Sequence, residues 1–182
     1  MKEDIISIRG RILRQLVAEF NSSDFIKKIA KKDYSSETIS EPEWKCPDKF
    51  TLKNIDMDNF NMELLQKKDY YDNKIILQLH GGGYVGKMKN AYREMARHYS
   101  DACNGASVLS VDYRVAPEYK YPASLEDSLN AYRWLLSNGY NANEIIIAGD
   151  SAGGGLAIAT CMYLRDHGEE LPSGIIVMSP WL

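Results

Sequence analysis

Apolar residues near the start of the chain recur every three or four positions, as they do on one face of an α-helix. The series runs from Ile5 to Phe20, with arginine and glutamate residues between its members. The polar segment 21–24 should end this helix, and apolar residues at 25–29 predict a second, short one. Two roles fit this pair: a solvated hairpin packed on the domain, or a mobile lid over an active site. Residues 34–48, rich in Ser, Glu, Pro and Lys, predict a linker.

Denser apolar runs farther along the chain alternate with helical patterns. Phe60, Met62 and Leu64 alternate with polar residues, which predicts a half-exposed strand, and 50–57 is a weaker candidate. The run at 74–79 predicts a strand that is buried on both faces. This alternation is typical of a mostly parallel sheet with helices on both faces, whose active sites lie at the carboxyl ends of the strands. The other predicted strands are 107–111, 145–147 and 174–178, the last two of which are expected to be buried. The other predicted helices are 91–102, 122–136 and one that starts after Ser151.

The most informative short motif is Gly149-Asp150-Ser151-Ala152-Gly153, which lies between a predicted buried strand and a predicted helix. It matches the G-x-S-x-G pattern of a nucleophile elbow, in the context that this turn requires. A serine in so tight a turn is strained, and side chains two residues away would clash, which explains the two glycines. The turn should present the Ser151 hydroxyl at a helix N-terminus, where N–H groups and the helix dipole favour a developing oxyanion.

A second glycine-rich segment, His80-Gly81-Gly82-Gly83-Tyr84, follows the predicted central strand. The spacing of a phosphate-binding P-loop is absent from it. Consecutive glycines can instead expose backbone N–H groups to a carbonyl oxygen, as in the H-G-G-G loop of esterases. Because both glycine segments follow strands of one predicted parallel sheet, we expect the N–H groups of Gly82 and Gly83 to meet that of the residue after the serine around one carbonyl oxygen.

The same segment also satisfies a fingerprint for dinucleotide binding. Gly81, Gly83 and Gly86 match G-x-G-x-x-G behind a strand. The acidic residue that binds the ribose should then lie at the end of the next strand, about 20 residues farther along the chain. Asp112 comes later than this, and Asp101 comes before that strand begins. A dinucleotide-binding fold is therefore the weaker alternative.

Several other polar residues fit structural roles better than catalytic ones. His98 lies beside an arginine in a predicted helix and should be at the surface. His167 falls in the last turn of the helix after Ser151, where a protonated imidazole interacts favourably with the negative end of the helix dipole. The length of that helix, at about 1.5 Å per residue, separates His167 from Ser151. Asp112 and Arg114, two positions apart at a strand end, should brace loops through hydrogen bonds.

Composition narrows the classes of function. The 182 residues are 45% hydrophobic and 26% charged, with a formal net charge of -3. This is ordinary globular composition without a basic face, so nucleic acid and anionic membranes are not expected partners. The three cysteines form no close pair and no metal-ligand spacing, as expected in a reducing compartment. Without a cleavable leader or an apolar stretch near the roughly 20 residues of a membrane span, we expect a cytoplasmic protein.

Three motifs together resemble the hormone-sensitive-lipase family of α/β-hydrolases, which includes bacterial esterases with a G-D-S-A-G motif. They are the glycine loop at 80–84, the segment V-D-Y-R-V-A-P-E at 111–118 and the serine turn at 149–154, in the family's order and near its spacing. The resemblance spans Lys74 to Leu182. It implies an α/β fold of the three-layer α/β-hydrolase type, with a mostly parallel sheet. We assign residues 1–48 to an N-terminal helical cap and linker, and residues 49–182 to the hydrolase core.

The resemblance also implies a chemistry, the hydrolysis of a small-molecule carboxylic ester without a metal or an organic cofactor. The helix near Pro122 looks like the family's, which makes Glu126 and Asp127 scaffold residues. Tyr84 and the predicted lid helices suggest an acyl pocket of modest size. The implied site consists of the catalytic nucleophile Ser151, the oxyanion-hole residues Gly82, Gly83 and Ala152, and the substrate-binding residue Tyr84.

The sequence departs from the family pattern after Ser151. Family members carry an acidic residue and a histidine downstream of the elbow, and we expect both to lie beyond Leu182. The sequence thus resembles the N-terminal portion of an esterase, truncated after the strand that follows the nucleophile helix, with an uncovered sheet edge. A serine without a base is a weak nucleophile. When one member of the catalytic triad of serine, acid and histidine is lost, the remaining rate acceleration is only roughly 10³ to 10⁴ over the reaction in water. We therefore expect this polypeptide to hydrolyse short p-nitrophenyl esters negligibly.

Two further interpretations stay open beside the esterase. The first is a ligand-binding protein on the same scaffold, as in the plant gibberellin receptors that resemble these esterases. The second is a non-functional truncated fragment. The oligomeric state is not readable from the sequence.

Overall fold

A mixed sheet of six strands, in the order β1-β2-β4-β3-β5-β6, forms the centre of the described structure. The structure is a computed structural model that describes residues 41–69 and 73–182. Strands β4, β3, β5 and β6 run parallel, whereas β1 and β2 form an antiparallel pair at one edge. The strands are β1 Phe50–Asp56, β2 Asn61–Lys67, β3 Ile75–Leu79, β4 Ser107–Asp112, β5 Ile145–Asp150 and β6 Gly174–Met178.

Helices cover both faces of this sheet. They are α1 Asn90–Ala102, α2 Ala123–Ser137 and α3 Ala152–Asp166, and a short 3-10 helix, Ala142–Glu144, precedes β5. The larger apolar core lies between the sheet and α2 with α3, and a smaller one lies on the face of α1. This arrangement confirms the predicted three-layer α/β architecture.

The burial of β3 explains why four of its five residues, all except Gln78, are apolar. Its neighbours β4 and β5 hold it on both sides, and all five of its residues are buried. Ile75 and Leu77 point into the larger core, whereas Ile76 points into the smaller one. A strand with two covered faces cannot alternate apolar and polar residues as a half-exposed strand does.

The N-terminal predictions fall mostly outside the described residues. This applies to both predicted helices and to the helical part of the predicted cap at 1–48. Residues 41–48 have no helix or strand, but Trp44 and Cys46 pack against the smaller core. Trp44 Nε1 also donates a hydrogen bond of 2.8 Å to Glu94 of α1. Residues 41–182 form one compact unit. The domain boundary at 48/49 stays a prediction.

Candidate active site

Ser151 stands at the sharp turn between β5 and α3, as the motif predicts. Its backbone has φ 49° and ψ -118°, a conformation that is unfavourable for a residue with a side chain. Three hydrogen bonds hold this backbone: the Ser151 N–H donates to Met178 O (2.9 Å), and Ser151 O accepts from the N–H groups of Gly155 (3.1 Å) and Trp181 (2.8 Å). The residue is half-buried, and no described side chain hydrogen-bonds its hydroxyl. The strained serine is thus held by its main chain, and its hydroxyl is left without a partner among the described residues.

The two glycines of the motif sit where the main chain passes closest to itself. A Cβ on Gly149 would lie 2.3 Å from Gly153 O, and a Cβ on Gly153 would lie 2.1 Å from Leu79 O and 2.5 Å from His80 O. Real Cβ atoms do not approach backbone oxygens this closely. The glycine at 153 therefore lets the first turn of α3 pack directly against the end of β3, where the second glycine segment begins.

The glycine loop after β3 exposes two backbone donors. Gly82 and Gly83 have φ angles of 125° and 63°, and Tyr84 also has a positive φ of 59°. Gly82 O accepts hydrogen bonds from Gly86 N (2.9 Å) and Val85 N (3.1 Å), which folds the loop back on itself. Within residues 41–69 and 73–182, the N–H groups of Gly82 and Gly83 donate no hydrogen bond. An oxyanion site needs unpaired backbone donors of this kind.

This loop does not have the architecture of a dinucleotide site. In a dinucleotide site, the glycine-rich turn leads directly into a helix whose N-terminus faces the pyrophosphate. Here α1 begins only at Asn90, after a loop that leaves the sheet at His80. Asp112, the candidate acid, accepts a hydrogen bond of 3.0 Å from the N–H of Met88 and so braces this loop.

His80 is a buried part of the glycine loop. Its ring stacks on that of Tyr113 with 4.1 Å between centroids, and its Nδ1 lies 2.7 Å from Gly81 O. Its Nε2 makes no hydrogen bond in the described structure and lies 3.9 Å from Asp112 Oδ1. Burial lowers the pKa of His80, so its neutral form is favoured. The ring packs beneath the loop and supports it.

The other two histidines are engaged elsewhere. His98 is exposed on α1, where its ring contacts the Arg97 guanidinium. His167 follows the last residue of α3; its Nδ1 lies 2.8 Å from Tyr163 O, and its ring stacks on Tyr163. Both positions agree with the structural roles expected from the sequence.

Arg114 ties the end of β4 to α2. Its guanidinium contacts both carboxylate oxygens of Asp127, at 2.7 and 3.0 Å, and that of Glu126 at 3.2 Å. The Asp127 carboxylate also accepts a hydrogen bond of 2.8 Å from the Arg114 N–H. These contacts give Glu126 and Asp127 a structural role, as predicted from the sequence.

Aromatic side chains stand beside the glycine loop. Tyr84 is half-buried, and its ring centroid lies 6.0 Å from that of Trp181, which is exposed. A Cβ on Gly83 would lie 3.8 Å from the Trp181 ring. Tyr84 was predicted from the sequence, whereas Trp181 was not, although its place after β6 at the carboxyl edge of the sheet was a usable signal. Tyr92 was not predicted either; its hydroxyl accepts a hydrogen bond of 2.8 Å from the Gly81 N–H, a contact that depends on how α1 packs.

Comparison with known proteins agrees with this geometry. An acetyl-hydrolase of Streptomyces hygroscopicus is 43% identical over 110 residues, which are 60% of this chain and 36% of that protein. The human hormone-sensitive lipase is 32% identical over 110 residues, 58% of this chain and 10% of the lipase. The crystal structure of an esterase from the bacterial hormone-sensitive lipase family matches with a TM-score of 0.70 and 40% identity, over 76% of this chain and 46% of that structure.

The family of the chain follows from its match to a family model. The chain spans about a third of the length of the acetyl-hydrolase. Among the described residues, no helix combines the length and the apolar character needed to cross a bilayer. The family model described as alpha/beta hydrolase fold matches residues 76–182, which include both glycine segments and the serine turn. The chain therefore belongs to the alpha/beta hydrolase fold family and resembles its serine carboxylesterases.

Proposed function

We propose that this chain carries the nucleophile and the oxyanion hole of a serine ester hydrolase. The observation that supports this most directly is that two features lie on neighbouring strands. One is the strained serine at the end of β5, and the other is the glycine loop with unpaired N–H groups at the end of β3. These strands are adjacent and parallel, so their carboxyl ends meet at one edge of the sheet. Such an edge is where α/β proteins place their active sites.

In the proposed reaction, the Ser151 hydroxyl attacks the carbonyl carbon of an ester. The carbonyl oxygen becomes an oxyanion, which accepts hydrogen bonds from the N–H groups of Gly82, Gly83 and Ala152. Ala152 is the first residue of α3, and the N–H groups in the first turn of a helix have no partner inside that helix. Collapse of the intermediate breaks the bond between the carbonyl carbon and the alcohol oxygen, which takes up a proton in place of the one lost by the serine and leaves as the alcohol. Water then hydrolyses the acyl group on the serine and releases the carboxylic acid.

The proton of the serine hydroxyl needs an acceptor in this reaction. The three histidines of the sequence contact Tyr113, Arg97 and Tyr163, so we do not assign any of them as the base. We propose that residues 1–182 alone form an acyl-enzyme slowly and turn over poorly. The expected residual acceleration is roughly 10³ to 10⁴ over the uncatalysed reaction.

We propose a small carboxylic ester with a short acyl group as the substrate. The similar protein from Streptomyces is named an acetyl-hydrolase. Tyr84 and Trp181 would form an aromatic wall beside the glycine loop, which suits a compact apolar acyl group. Nucleic acid is not a proposed partner, since the chain has a net charge of -3.

A fluorophosphonate probe tests the nucleophile, because its phosphonyl group reacts covalently with a serine whose attack is assisted by an oxyanion hole, and a long incubation allows for the slow reaction expected here. We expect mass spectrometry to find one adduct on Ser151, none in Ser151→Ala, and an unchanged adduct in the control Ser137→Ala. Ser137 is an exposed serine at the end of α2. An adduct that persists in Ser151→Ala, or a folded wild-type chain that never reacts, would contradict the proposal.

The lack of a positioned histidine at the Ser151 hydroxyl also favours a second candidate, a ligand-binding protein on the same scaffold. In that case an ester or a carboxylic acid would bind tightly and reversibly. The same experiment separates the two functions, since a receptor would bind ligand without forming an adduct at Ser151.

A further inference from the structure

The first glycine of the loop shares its N–H between two side chains from different parts of the fold. Gly81 N donates to the Tyr92 hydroxyl at 2.8 Å and to Asp150 Oδ1 at 3.1 Å. The Tyr92 hydroxyl in turn donates to Asp150 Oδ2 at 3.1 Å. We call these three residues the loop clamp. The clamp joins the end of β3, the first turn of α1 and the last residue of β5.

The clamp is tightly packed. A Cβ on Gly81 would lie 2.5 Å from Asp150 Oδ2 and 2.9 Å from the Tyr92 hydroxyl oxygen, so only glycine leaves room for both acceptors. The backbone of Tyr92 is itself fixed, since its carbonyl accepts a hydrogen bond of 3.2 Å from Gln78 of β3. Burial, aided by the Asp150 carboxylate, raises the pKa of Tyr92 to about 12, so its hydroxyl stays a donor at neutral pH.

The loop clamp lies next to the proposed nucleophile and next to the proposed oxyanion donors in the sequence. Asp150 directly precedes Ser151, and Gly81 directly precedes the two glycines with unpaired N–H groups. The residue before Gly81 is held as well, since Tyr113 donates a hydrogen bond of 2.6 Å from its hydroxyl to His80 O. Any change in the clamp should therefore move the loop relative to the serine.

We infer that Tyr92 and Asp150 are positioning residues that fix the glycine loop against the nucleophile, so that the N–H groups of Gly82 and Gly83 face the oxyanion. This inference rests on the proposed function of these groups. Neither side chain needs to touch the substrate. The carboxylate is suited to the task because an ionised group accepts hydrogen bonds that are stronger than neutral ones.

The test compares Tyr92→Phe with Tyr99→Phe. Both tyrosines lie on α1, but the buried hydroxyl of Tyr99 has no hydrogen-bond partner in the described structure. In glycine-labelled protein, we expect Tyr92→Phe to shift the amide NMR signals of Gly81, Gly82 and Gly83 and to speed the exchange of the Gly81 amide. Its rate of fluorophosphonate labelling should fall about tenfold, because small misplacements of reacting groups slow a reaction steeply. Tyr99→Phe should leave the amide signals, the exchange of the Gly81 amide and the labelling rate unchanged.

A second variant tests whether the two side chains act as one unit. Asp150→Asn should also slow labelling, and the double variant with Tyr92→Phe should be little slower than the slower single variant, because the two substitutions break the same network. Unchanged signals of Gly82 and Gly83 in Tyr92→Phe would overturn the inference. So would equal effects in Tyr99→Phe, or labelling of Tyr92→Phe at the wild-type rate. A wild-type chain that forms no adduct would contradict the proposed function, and the amide signals would then decide on the clamp alone.

Discussion

Gly153→Ala is expected to destabilise the fold by about 3 kcal/mol, the upper part of the range for overpacked sites. The new Cβ would lie 2.1 Å from Leu79 O and 2.5 Å from His80 O, and both atoms belong to the main chain of the sheet and its glycine loop. Neither atom can rotate away as a side chain could, so α3 or the loop must shift. For a chain of this size, the melting temperature should fall by roughly 10 °C, and labelling of Ser151 should fall with it.

Gly174→Ala is the matched control for this substitution. Gly174 starts β6, and a Cβ there would meet no atom within 4 Å. We expect its stability to stay within about 0.5 kcal/mol of the wild type. Equal melting temperatures for Gly153→Ala and Gly174→Ala would show that the close approach of the two glycine segments is not needed for the fold.

Asp127→Ala is expected to cost about 3–5 kcal/mol, since it removes one partner of a largely buried ion pair. The Asp127 side chain is 0% exposed, whereas the Arg114 side chain is 18% exposed. Without the carboxylate, the Arg114 guanidinium loses its strongest partner, and the Arg114 N–H loses its acceptor. Urea unfolding should show a lower midpoint, because the segment after β4 loses its buried ion pair with α2.

Glu126→Ala provides the comparison on the same arginine. Glu126 contacts Arg114 at 3.2 Å, but its side chain is 53% exposed. Exposed ion pairs contribute about 0.2–1 kcal/mol, so this variant should unfold near the wild-type midpoint. If Glu126→Ala proved as damaging as Asp127→Ala, burial would not be the reason why the Asp127 pair matters.

Most strands and helices beyond residue 50 were predictable because their patterns reflect burial. The prediction that 174–178 is a buried strand was wrong in its burial: β6 forms there at the edge of the sheet, with Ile175 and Ile176 exposed. The dense apolar run at 74–79 predicted a central strand, and β3 has both faces covered. Pro122 was expected to be the first residue of a helix, but α2 begins at Ala123 with Pro122 as the residue before it. Such one-residue differences arise because both positions tolerate a residue without an N–H group.

The serine turn was predictable for a different reason. Its glycines are required by close contacts of the main chain, and the need for glycine leaves a fixed spacing in the sequence. Tyr92 and Trp181 had no such signature. A tyrosine in an amphipathic helix is usually part of the core, and only the packing of α1 against the loop brings the Tyr92 hydroxyl to Gly81.

The roles of Gly82, Gly83 and Ala152 can be measured directly in a crystal structure of the phosphonate adduct. The phosphonyl oxygen of such an adduct stands where the oxyanion of the ester reaction would form. If these three N–H groups form the oxyanion hole, this oxygen will accept hydrogen bonds of about 2.7–3.1 Å from their nitrogen atoms. A phosphonyl oxygen that points into solvent, away from the glycine loop, would contradict the proposed site.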